Sequence, residues 1–458
     1  MGNFWEFSSW GFFNLTAVLL ASLLIANMLK RSIPWLEASL IPTSVLGGGI
    51  LLLISVIYNN ITGAEFFDTP FFGGKGTAWL ELLTYHMLAL GFTASSLKTT
   101  EGKMTKARSI EIFNTGLTTV ATYLIQALVG MIICIVGAMY IDDLLEAAGL
   151  LLALGYGQGP GQAMNYGGIY ELDYGFVGGK SFGLTVASMG FLAASIGGVI
   201  HLNILKRQGK INLDKGTGAA SESVEGANEI PMQESIDKFT IQVALIMVAY
   251  LLAYLLMLLL GSLLPGMRST IYGFNFLLGV LAATLLKTVM NLLRKKNIIH
   301  RQYTNNFLLT RATNFFFDIM VTAGIAAIRL EIIGRYWAVL LAMGLVGLVI
   351  TYIYVYYVCR KLFPGYTEQQ FLAMYGMLTG TASTGIILLR EIDGDFKTPV
   401  ADNLVYQNFP AMVFGFPILL LATMAPTKPY MTLIIVAVFF IAIHILLMRS
   451  VLFRKKAK

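Results

Sequence analysis

The sequence predicts an all-α polytopic membrane protein: an inverted five-plus-five transmembrane repeat with two oppositely oriented re-entrant hairpins and an extra C-terminal helix. Hydrophobic residues make up 56% of the 458 positions and charged residues only 12%, which is too apolar for one soluble core. Apolar runs long enough to cross a bilayer as helices recur along the chain. Two glycine-rich stretches, 148–170 and 371–389, interrupt this pattern at matching places in the two halves.

Four parts of the chain follow from hydropathy. Residues 1–205 form an N-terminal repeat of five spans, with the first glycine-rich stretch between the fourth and fifth. Residues 206–238 are rich in Lys, Gly, Ser, Glu and Asn and predict a flexible cytoplasmic loop. Residues 239–424 repeat the first pattern, and 425–458 add an eleventh span and a basic tail. The predicted spans are 12–29, 41–58, 79–97, 111–140, 180–205, 239–264, 271–293, 305–330, 336–359, 401–424 and 431–447.

The charge of the loops predicts the orientation of the spans, because Lys and Arg accumulate in short cytoplasmic loops. Strongly basic loops alternate with weakly basic or acidic ones only if each glycine-rich stretch enters and leaves by the same face. We therefore expect two re-entrant hairpins, the first from outside and the second from the cytoplasm. The N-terminus would lie outside, the C-terminus inside, and the two halves would be inverted. The basic clusters are 30–31, 98–108, 206–215, 294–301, 360–361 and 454–458.

Three further features exclude other classes of protein. The first apolar run follows no basic region and ends in Lys30 and Arg31 without a small-residue cleavage site, so we expect a retained span. The cysteines, Cys134 and Cys359, form neither a metal-ligand pattern nor a disulfide framework and read as packing residues. The net charge of +7 fits loops that face anionic lipid, and no nucleic-acid partner is expected.

The first glycine-rich stretch contains candidate ligands for a solute. Closely spaced glycines and a proline free backbone carbonyls and amides, and neutral amide side chains add donors and acceptors. The alternative is that these glycines only let helices pack closely. The candidate substrate ligands are Gln158, Gly159, Gly161, Gln162 and Asn165, and Gly157 is a candidate Na⁺ ligand.

Hydroxyl groups dominate the second glycine-rich stretch. Hydroxyl and carbonyl oxygens suit a dehydrated Na⁺, and helix N-termini at a turn can face a carboxylate. The alternative is that the hydroxyls donate to carbonyls of their own helix. The candidate substrate ligands are Thr379, Gly380, Thr381 and Ser383, with Thr384 as a candidate Na⁺ ligand.

Ionisable residues within apolar spans are costly, so each is a candidate for function. In the eighth span, Asp318 shares a helical face with Arg311 and Asn314. Asp318 and Asn314 are candidate cation ligands. Alternatively, Asp318 carries a proton, or it only forms an ion pair with Arg311. Arg311 is itself a candidate substrate ligand. His86 in the third span is a functional residue or a hydrogen-bonding bridge between helices.

Polar residues also border the second glycine-rich stretch. Arg390 follows it directly and could bind a substrate carboxylate, or pair with an acidic neighbour at the membrane surface. Asn403 and Gln407 open the tenth span on a polar face and are candidate Na⁺ ligands.

Three segments together resemble one known family. Residues 157–163 (GQGPGQA) are similar to a Gly-Gly-His-Gly motif followed by small residues, with Gln158 at the place of the His. Residues 376–385 (GMLTGTASTG) are similar to a Gly- and Thr-rich stretch with a Thr-Pro-Thr-Ala element, although the Pro is missing here. Residues 91–98 (GFTASSLK) are similar to a Gly-Leu-Asn-Ala-Ser-Leu segment. Over about residues 17–424 the chain thus resembles the sodium/glutamate symporters, which look distantly related in architecture to the sodium-dependent 2-hydroxycarboxylate transporters.

The resemblance implies Na⁺-coupled uptake of L-glutamate or a similar dicarboxylate across the bacterial inner membrane. It also implies a homodimer with an elevator-like transport domain, and Na⁺ as coupling ion without a cofactor. From the residues alone, a channel built on opposed re-entrant loops is the nearest alternative. A membrane enzyme is not expected, since no nucleophile–base motif or metal triplet is present.

Overall fold

The computed structural model describes residues 4–99, 105–210, 229, 236–394 and 397–452. Most of the predicted loop at 206–238 and the basic tail at 454–458 lie outside these residues. The described chain forms eighteen α-helices: α1 (Phe7–Ser32), α2 (Pro34–Ala38), α3 (Thr43–Thr62), α4 (Gly76–Leu97), α5 (Lys106–Gly137), α6 (Leu151–Gln158), α7 (Pro160–Tyr174), α8 (Gly179–Arg207), α9 (Lys238–Leu263), α10 (Arg268–Gly273), α11 (Asn275–Lys295), α12 (Asn306–Ala326), α13 (Leu330–Leu362), α14 (Thr367–Thr379), α15 (Ala382–Arg390), α16 (Val400–Tyr406), α17 (Asn408–Met424) and α18 (Pro429–Leu452).

The length and composition of these helices are those of a multi-pass membrane protein. In the described ranges, eight helices are long and apolar enough to cross a membrane, and the bent pair α16–α17 is a ninth candidate. The predicted polytopic α-helical class is confirmed. The third and eighth predicted spans, α4 and α12, form as helices but are not among the nine. Their polar residues are the reason, since α4 carries Glu81 and His86 and α12 carries Arg311 and Asp318.

The helices pack in two groups. Helix group I consists of α1, α3, α4, α9, α11 and α12, and helix group II of α5–α8 and α13–α18. The groups meet where α7 lies against α4, α10 and α12, and where α8 lies against α12. Group I therefore contains the first three predicted spans of each half of the sequence. Group II contains the last two of each half, both glycine-rich stretches and the eleventh span.

Each glycine-rich stretch forms two short helices separated by a break. The first broken pair is α6 and α7, which meet at Gly159, and the second broken pair is α14 and α15, which meet at Gly380 and Thr381. Hydropathy placed these stretches at 148–170 and 371–389. The structure has the two pairs at 151–174 and 367–390.

A stripe of glycines on α8, repeated every seven residues, receives both broken pairs. A side chain at Gly183 would overlap the carbonyl oxygen of Ala163 in α7, and one at Gly190 would overlap that of Thr379 at the end of α14. One at Gly197 would overlap the Tyr375 ring in α14. From the start of α8 to its end, these three glycines therefore pack in turn against α7, the second break and the middle of α14. Small residues allow this close approach of helix backbones.

The bases of the two pairs lie at opposite ends of α8. At its start, the Lys180 N–H donates to Glu171 Oε2 at 3.2 Å, near the end of α7. Near its other end, His201 Nε2 lies 2.8 Å from Glu368 Oε2, in the first turn of α14. The two broken pairs therefore approach each other from opposite ends of this one helix.

Four buried tyrosines attach the broken pairs to neighbouring helices. Each hydroxyl donates to a backbone carbonyl, which satisfies a polar group that would be costly to leave unpaired in an apolar interior. The bonds are Tyr156 to Gly344 O (2.6 Å), Tyr166 to Leu419 O (2.9 Å), Tyr170 to Ala422 O (2.8 Å) and Tyr375 to Ala193 O (2.9 Å). Both pairs are consequently fixed to helices of group II.

The glycine stripe is tested by Gly190→Ala. The added methyl group would overlap a backbone oxygen that cannot rotate away, so we expect a loss of about 1–3 kcal/mol in the free energy of unfolding. The measurement is the thermal midpoint in detergent. Gly49→Ala in α3 is the matched control, because its Cβ would meet nothing within 4 Å and alanine favours a helix. Equal midpoints for the two variants would contradict the close contact at Gly190.

Candidate functional site

The first break is shaped by one glycine. α6 ends at Gln158, and Gly159 has φ 84° and ψ −177° before α7 begins at Pro160. Only glycine adopts this combination readily, because a Cβ would clash with the backbone. Proline suits the first position of α7, where its missing N–H would have no partner within the helix. The local sequence Gly-Pro therefore ends one helix and starts the next.

The second break uses a hydroxyl cap. α14 ends at Thr379, Gly380 follows with φ −139° and ψ −103°, and Thr381 is the N-cap of α15. Thr381 Oγ1 accepts a hydrogen bond from the Thr384 N–H at 3.4 Å and lies 3.3 Å from Thr384 Oγ1. Ser383 lies half-buried beside them. Three hydroxyl groups thus surround the first turn of α15.

The two breaks lie next to each other. A Cβ on Gly159 would lie 3.8 Å from Thr381 Cγ2 and 4.0 Å from the carbonyl oxygen of Gly380. On another side it would lie 3.8 Å from Met320 Cε of α12. The place where the two broken pairs meet is therefore also a contact between helix groups I and II. We call this place the break contact.

Helix ends give the break contact its electrostatic character. α7 and α15 begin there and α6 and α14 end there, so two N-termini and two C-termini converge. A helix N-terminus carries partial positive charge and free N–H groups, which suits a carboxylate. A C-terminus presents free carbonyl oxygens, which suit a cation. The contact can therefore accommodate an anionic group and a cation side by side.

Gln162 differs from every other candidate in this stretch. It is fully buried in the first turn of α7, and neither Nε2 nor Oε1 of its amide has a hydrogen-bond partner. Leaving a buried amide unpaired costs free energy, so proteins rarely do so without a reason. Asn165, by contrast, donates to Gly273 O at 2.6 Å and connects α7 to α10.

Other predicted substrate ligands have structural partners. Thr379 Oγ1 donates to Tyr375 O at 2.7 Å, the bond within its own helix that was the alternative for these hydroxyls. Gly161 packs against Leu88 and Met320, and Gln158 is half-buried at the end of α6. The structure thus brings Gln158, Gly159, Gly161, Gln162, Gly380, Thr381 and Ser383 to the break contact or its first turns.

The predicted Na⁺ ligands fall into two sets. Gly157 and Thr384 flank the break contact. Asn403 and Gln407 lie instead in a buried polar cluster between α5, α14 and α16, where Asn403 Nδ2 donates to Gln370 Oε1 at 3.3 Å and Gln407 Oε1 accepts from Thr119 at 2.8 Å. Gln407 Nε2 also lies 3.4 Å from Met377 Sδ, one turn before the second break.

The polar residues of α12 are placed differently. Asp318 is two residues from Met320, whose side chain reaches the break contact. The Asp318 side chain is rotated from it by about 200° around the helix axis and therefore points away from the break contact. Asp318 interacts with Ser44 at the start of α3. Arg311 lies over the Phe307 ring, 5.0 Å from its centroid, and the described contacts include no ion pair between it and Asp318. Asp318, Asn314 and Arg311 are all exposed, as is Arg390 at the end of α15.

His86 forms a bridge between helices. Its Nδ1 lies 2.8 Å from the Tyr250 hydroxyl, which connects α4 to α9 within group I. This is the second of the two interpretations of His86 that its sequence allowed.

Two residues of the break contact were missed by sequence analysis. Tyr123 donates its hydroxyl hydrogen to Gly157 O at 2.9 Å, and Gln126 Nε2 donates to Leu378 O at 2.9 Å. Both lie on α5, inside an ordinary apolar span. A polar residue every three or four positions along residues 111–126 was the pattern that could have revealed them.

Comparison with known proteins adds no family to this picture, since neither a family model nor a curated protein matches the chain.

Gln162→Leu tests whether this amide serves function rather than stability. Leucine removes two unpaired buried polar atoms, so we expect the thermal midpoint in detergent to stay equal or rise. Gln242→Leu is the matched control. Gln242 is also fully buried, but it donates to Tyr303 O at 2.8 Å and accepts from the Asn305 N–H at 3.0 Å. We expect that variant to lose about 1–3 kcal/mol. A comparable loss in Gln162→Leu would show that its amide has a structural role.

Proposed function

We propose that this chain is a secondary active transporter that couples the uptake of L-glutamate, or a related small dicarboxylate, to Na⁺. The observation that carries the proposal is the contact between two broken helix pairs that approach from opposite ends of α8. In a bilayer, unwound backbone persists only where protein or water satisfies its polar groups. Paired breaks at matching places in two halves are the arrangement by which transporters build a binding site near the midplane.

The same arrangement supports an inverted five-plus-five repeat with two re-entrant hairpins. In this interpretation the first broken pair enters from outside and the second from the cytoplasm. Basic segments meet at one end of the bundle, where Thr99 N donates to Asn306 Oδ1 at 2.8 Å and Arg108 donates to Pro399 O at 2.9 Å. The positive-inside rule assigns that end to the cytoplasm of a bacterial inner membrane, with the N-terminus outside and the C-terminus inside.

Substrate recognition in this proposal depends on backbone groups and neutral side chains. The N–H groups at the starts of α7 and α15 would bind carboxylate oxygens, and the amide of Gln162 would complete a hydrogen bond that is otherwise missing. Na⁺ would bind among carbonyl and hydroxyl oxygens, with Thr384 as a nearby candidate. The charged side chains Arg311 and Arg390 are exposed and have no role at the break contact in this proposal.

Uptake of radiolabelled glutamate into proteoliposomes tests this function. We expect saturable uptake that requires an inward Na⁺ gradient, and competition by aspartate, 2-oxoglutarate or citrate would define the substrate class. Gln162→Leu should reduce uptake about tenfold or more, because one hydrogen bond to the substrate is lost. Gln242→Leu protein that folds should keep the affinity of the wild type. Glutamate flux that does not saturate with concentration and needs no Na⁺ gradient would favour a channel.

Alternating access in an elevator-like manner requires helix group II to move against group I. One ion-pair cluster now joins them: Lys180 Nζ of α8 lies 2.6 Å from Glu81 Oε2 of α4, and Arg329 lies 3.7 Å from Glu81 Oε1. Beside it, the Arg329 N–H donates to Ser181 Oγ at 3.1 Å. Glu81 is only 17% exposed, so this pair is less screened than a surface pair. Group II can slide only if this Glu81 cluster opens.

Glu81→Gln should therefore shift the population away from the arrangement described here. Spin labels at Ile61→Cys in group I and Leu172→Cys in group II, both exposed, report the distance between the groups. We expect a second or broader distance distribution in the Glu81→Gln background. Asp143→Asn is the matched control, because Asp143 pairs with Arg335 within group II. Identical distributions in all three proteins would exclude a role of the Glu81 cluster in the motion.

A further inference from the structure

Two side chains of α5 cap the two broken helices in the same way. α6 ends at Gln158 and α14 ends at Thr379, and in each case the capped carbonyl belongs to the residue before last. Tyr123 binds the carbonyl oxygen of Gly157 and Gln126 binds that of Leu378, both at 2.9 Å. The last carbonyls of a helix have no partner within it, and in an apolar interior they need donors from elsewhere. We call Tyr123 and Gln126 the α5 caps.

The fit at the first cap is tight. A side chain at Gly157 would overlap the Tyr123 ring, so the ring occupies the space that any other residue would fill. Tyr123 also packs against both of the large hydrophobic clusters, the one that contains α6 and α7 and the one that contains α14 and α15. Its ring therefore lies against Gly157 of the first broken pair and also packs on the cluster to which the second pair belongs, while its hydroxyl binds the first.

The second cap has a defined orientation. A carbonyl oxygen such as that of Leu378 can only accept, so the nitrogen of the Gln126 amide must face it. The same Nε2 donates to Thr351 Oγ1 of α13 at 2.9 Å, and Gln126 is fully buried. Gln126 thus connects the end of α14 to α5 and α13 at once.

The spacing of the α5 caps matches the distance they have to span. Residues three apart on a helix lie on one face, about 4.5 Å apart along the axis. Each capped carbonyl is two residues before its break, at Gly159 or Gly380, and a Cβ on Gly159 would be in van der Waals contact with Thr381 at the second break. One turn of α5 therefore holds the ends of two helices that come from opposite directions.

We propose that Tyr123 and Gln126 are positioning residues that fix the two breaks relative to each other, so that the two broken pairs move as one rigid unit. Their effect on transport rests on the function proposed above, but their effect on the geometry of the breaks does not. α5 belongs to group II with both broken pairs, so motion between the groups leaves the caps intact. Loss of either cap frees one helix end and loosens the site without removing a group that would contact substrate.

The test uses Tyr123→Phe, which removes only a hydroxyl group, and Gln126→Leu. Spin labels at Gln158→Cys and Ala382→Cys, on opposite sides of the break contact, are placed in protein whose buried Cys134 and Cys359 are changed to Ala. We expect each variant to broaden the distance distribution between the labels. Tyr354→Phe is the matched control, since it removes a buried hydroxyl group that lies 2.9 Å from His444 Nδ1, away from the breaks. It should leave the distribution narrow.

Uptake kinetics provide the second measurement. If the chain transports glutamate, each cap variant should raise KM about tenfold, the factor for one lost buried hydrogen bond, and Tyr354→Phe should leave KM unchanged. Narrow distributions in both cap variants would overturn the proposal, whatever the uptake. Broad distributions in a protein that takes up no glutamate would support the α5 caps and count against the function proposed above.

Discussion

Close approach of backbone to backbone is the constraint on which the rest of this structure depends. The two broken pairs meet only because α8 lets them lie directly on its backbone at Gly183, Gly190 and Gly197. Larger side chains there would push both pairs outward, and the breaks at Gly159 and Gly380 would separate. The four tyrosine bonds to neighbouring carbonyls then hold the pairs in place without any charge in the apolar interior. Packing and hydrogen bonding thus act on the same elements.

The C-terminal and N-terminal ends of the broken helices differ in the hydrogen-bond partners that the protein provides. The C-terminal ends of α6 and α14 receive donors from Tyr123 and Gln126, which are part of the protein. At the N-terminal ends, α7 begins with a proline and α15 has only the hydroxyl of Thr381 as its own cap. The protein therefore supplies a donor to one carbonyl group at each C-terminal end and leaves N–H groups at the starts of two helices for a ligand. Partial positive charge at those ends makes an anion the fitting ligand, which is why a carboxylate is the substrate class we propose.

Much of the helical order could be predicted from hydropathy, because a bilayer demands long apolar helices and glycine interrupts them. The positions of both breaks followed from the same pattern. The α5 caps did not, since the polar residues at every third or fourth position of this span do not show which carbonyls lie opposite Tyr123 and Gln126. The surroundings of Asp318 could not be predicted either. Its position in the helix places it on the same face as Arg311 and Asn314, but the sequence does not show which helix packs against that face. The bend near Gln407 likewise arises within a run that reads as continuous.

Whether a polar residue serves structure or function depends on its partners, which sequence does not list. Asn165 and Thr379 looked equivalent to Gln162 as candidates, yet each of them donates a hydrogen bond within the protein, to Gly273 O and to Tyr375 O. Gln162 is fully buried and has no such bond. Four buried tyrosines of the broken pairs have hydrogen-bond partners, whereas both polar atoms of this amide have none. The fold therefore has little structural reason to keep residue 162 polar. The empty amide, one turn from the contact of the two breaks, is best explained by a partner that arrives from outside the chain.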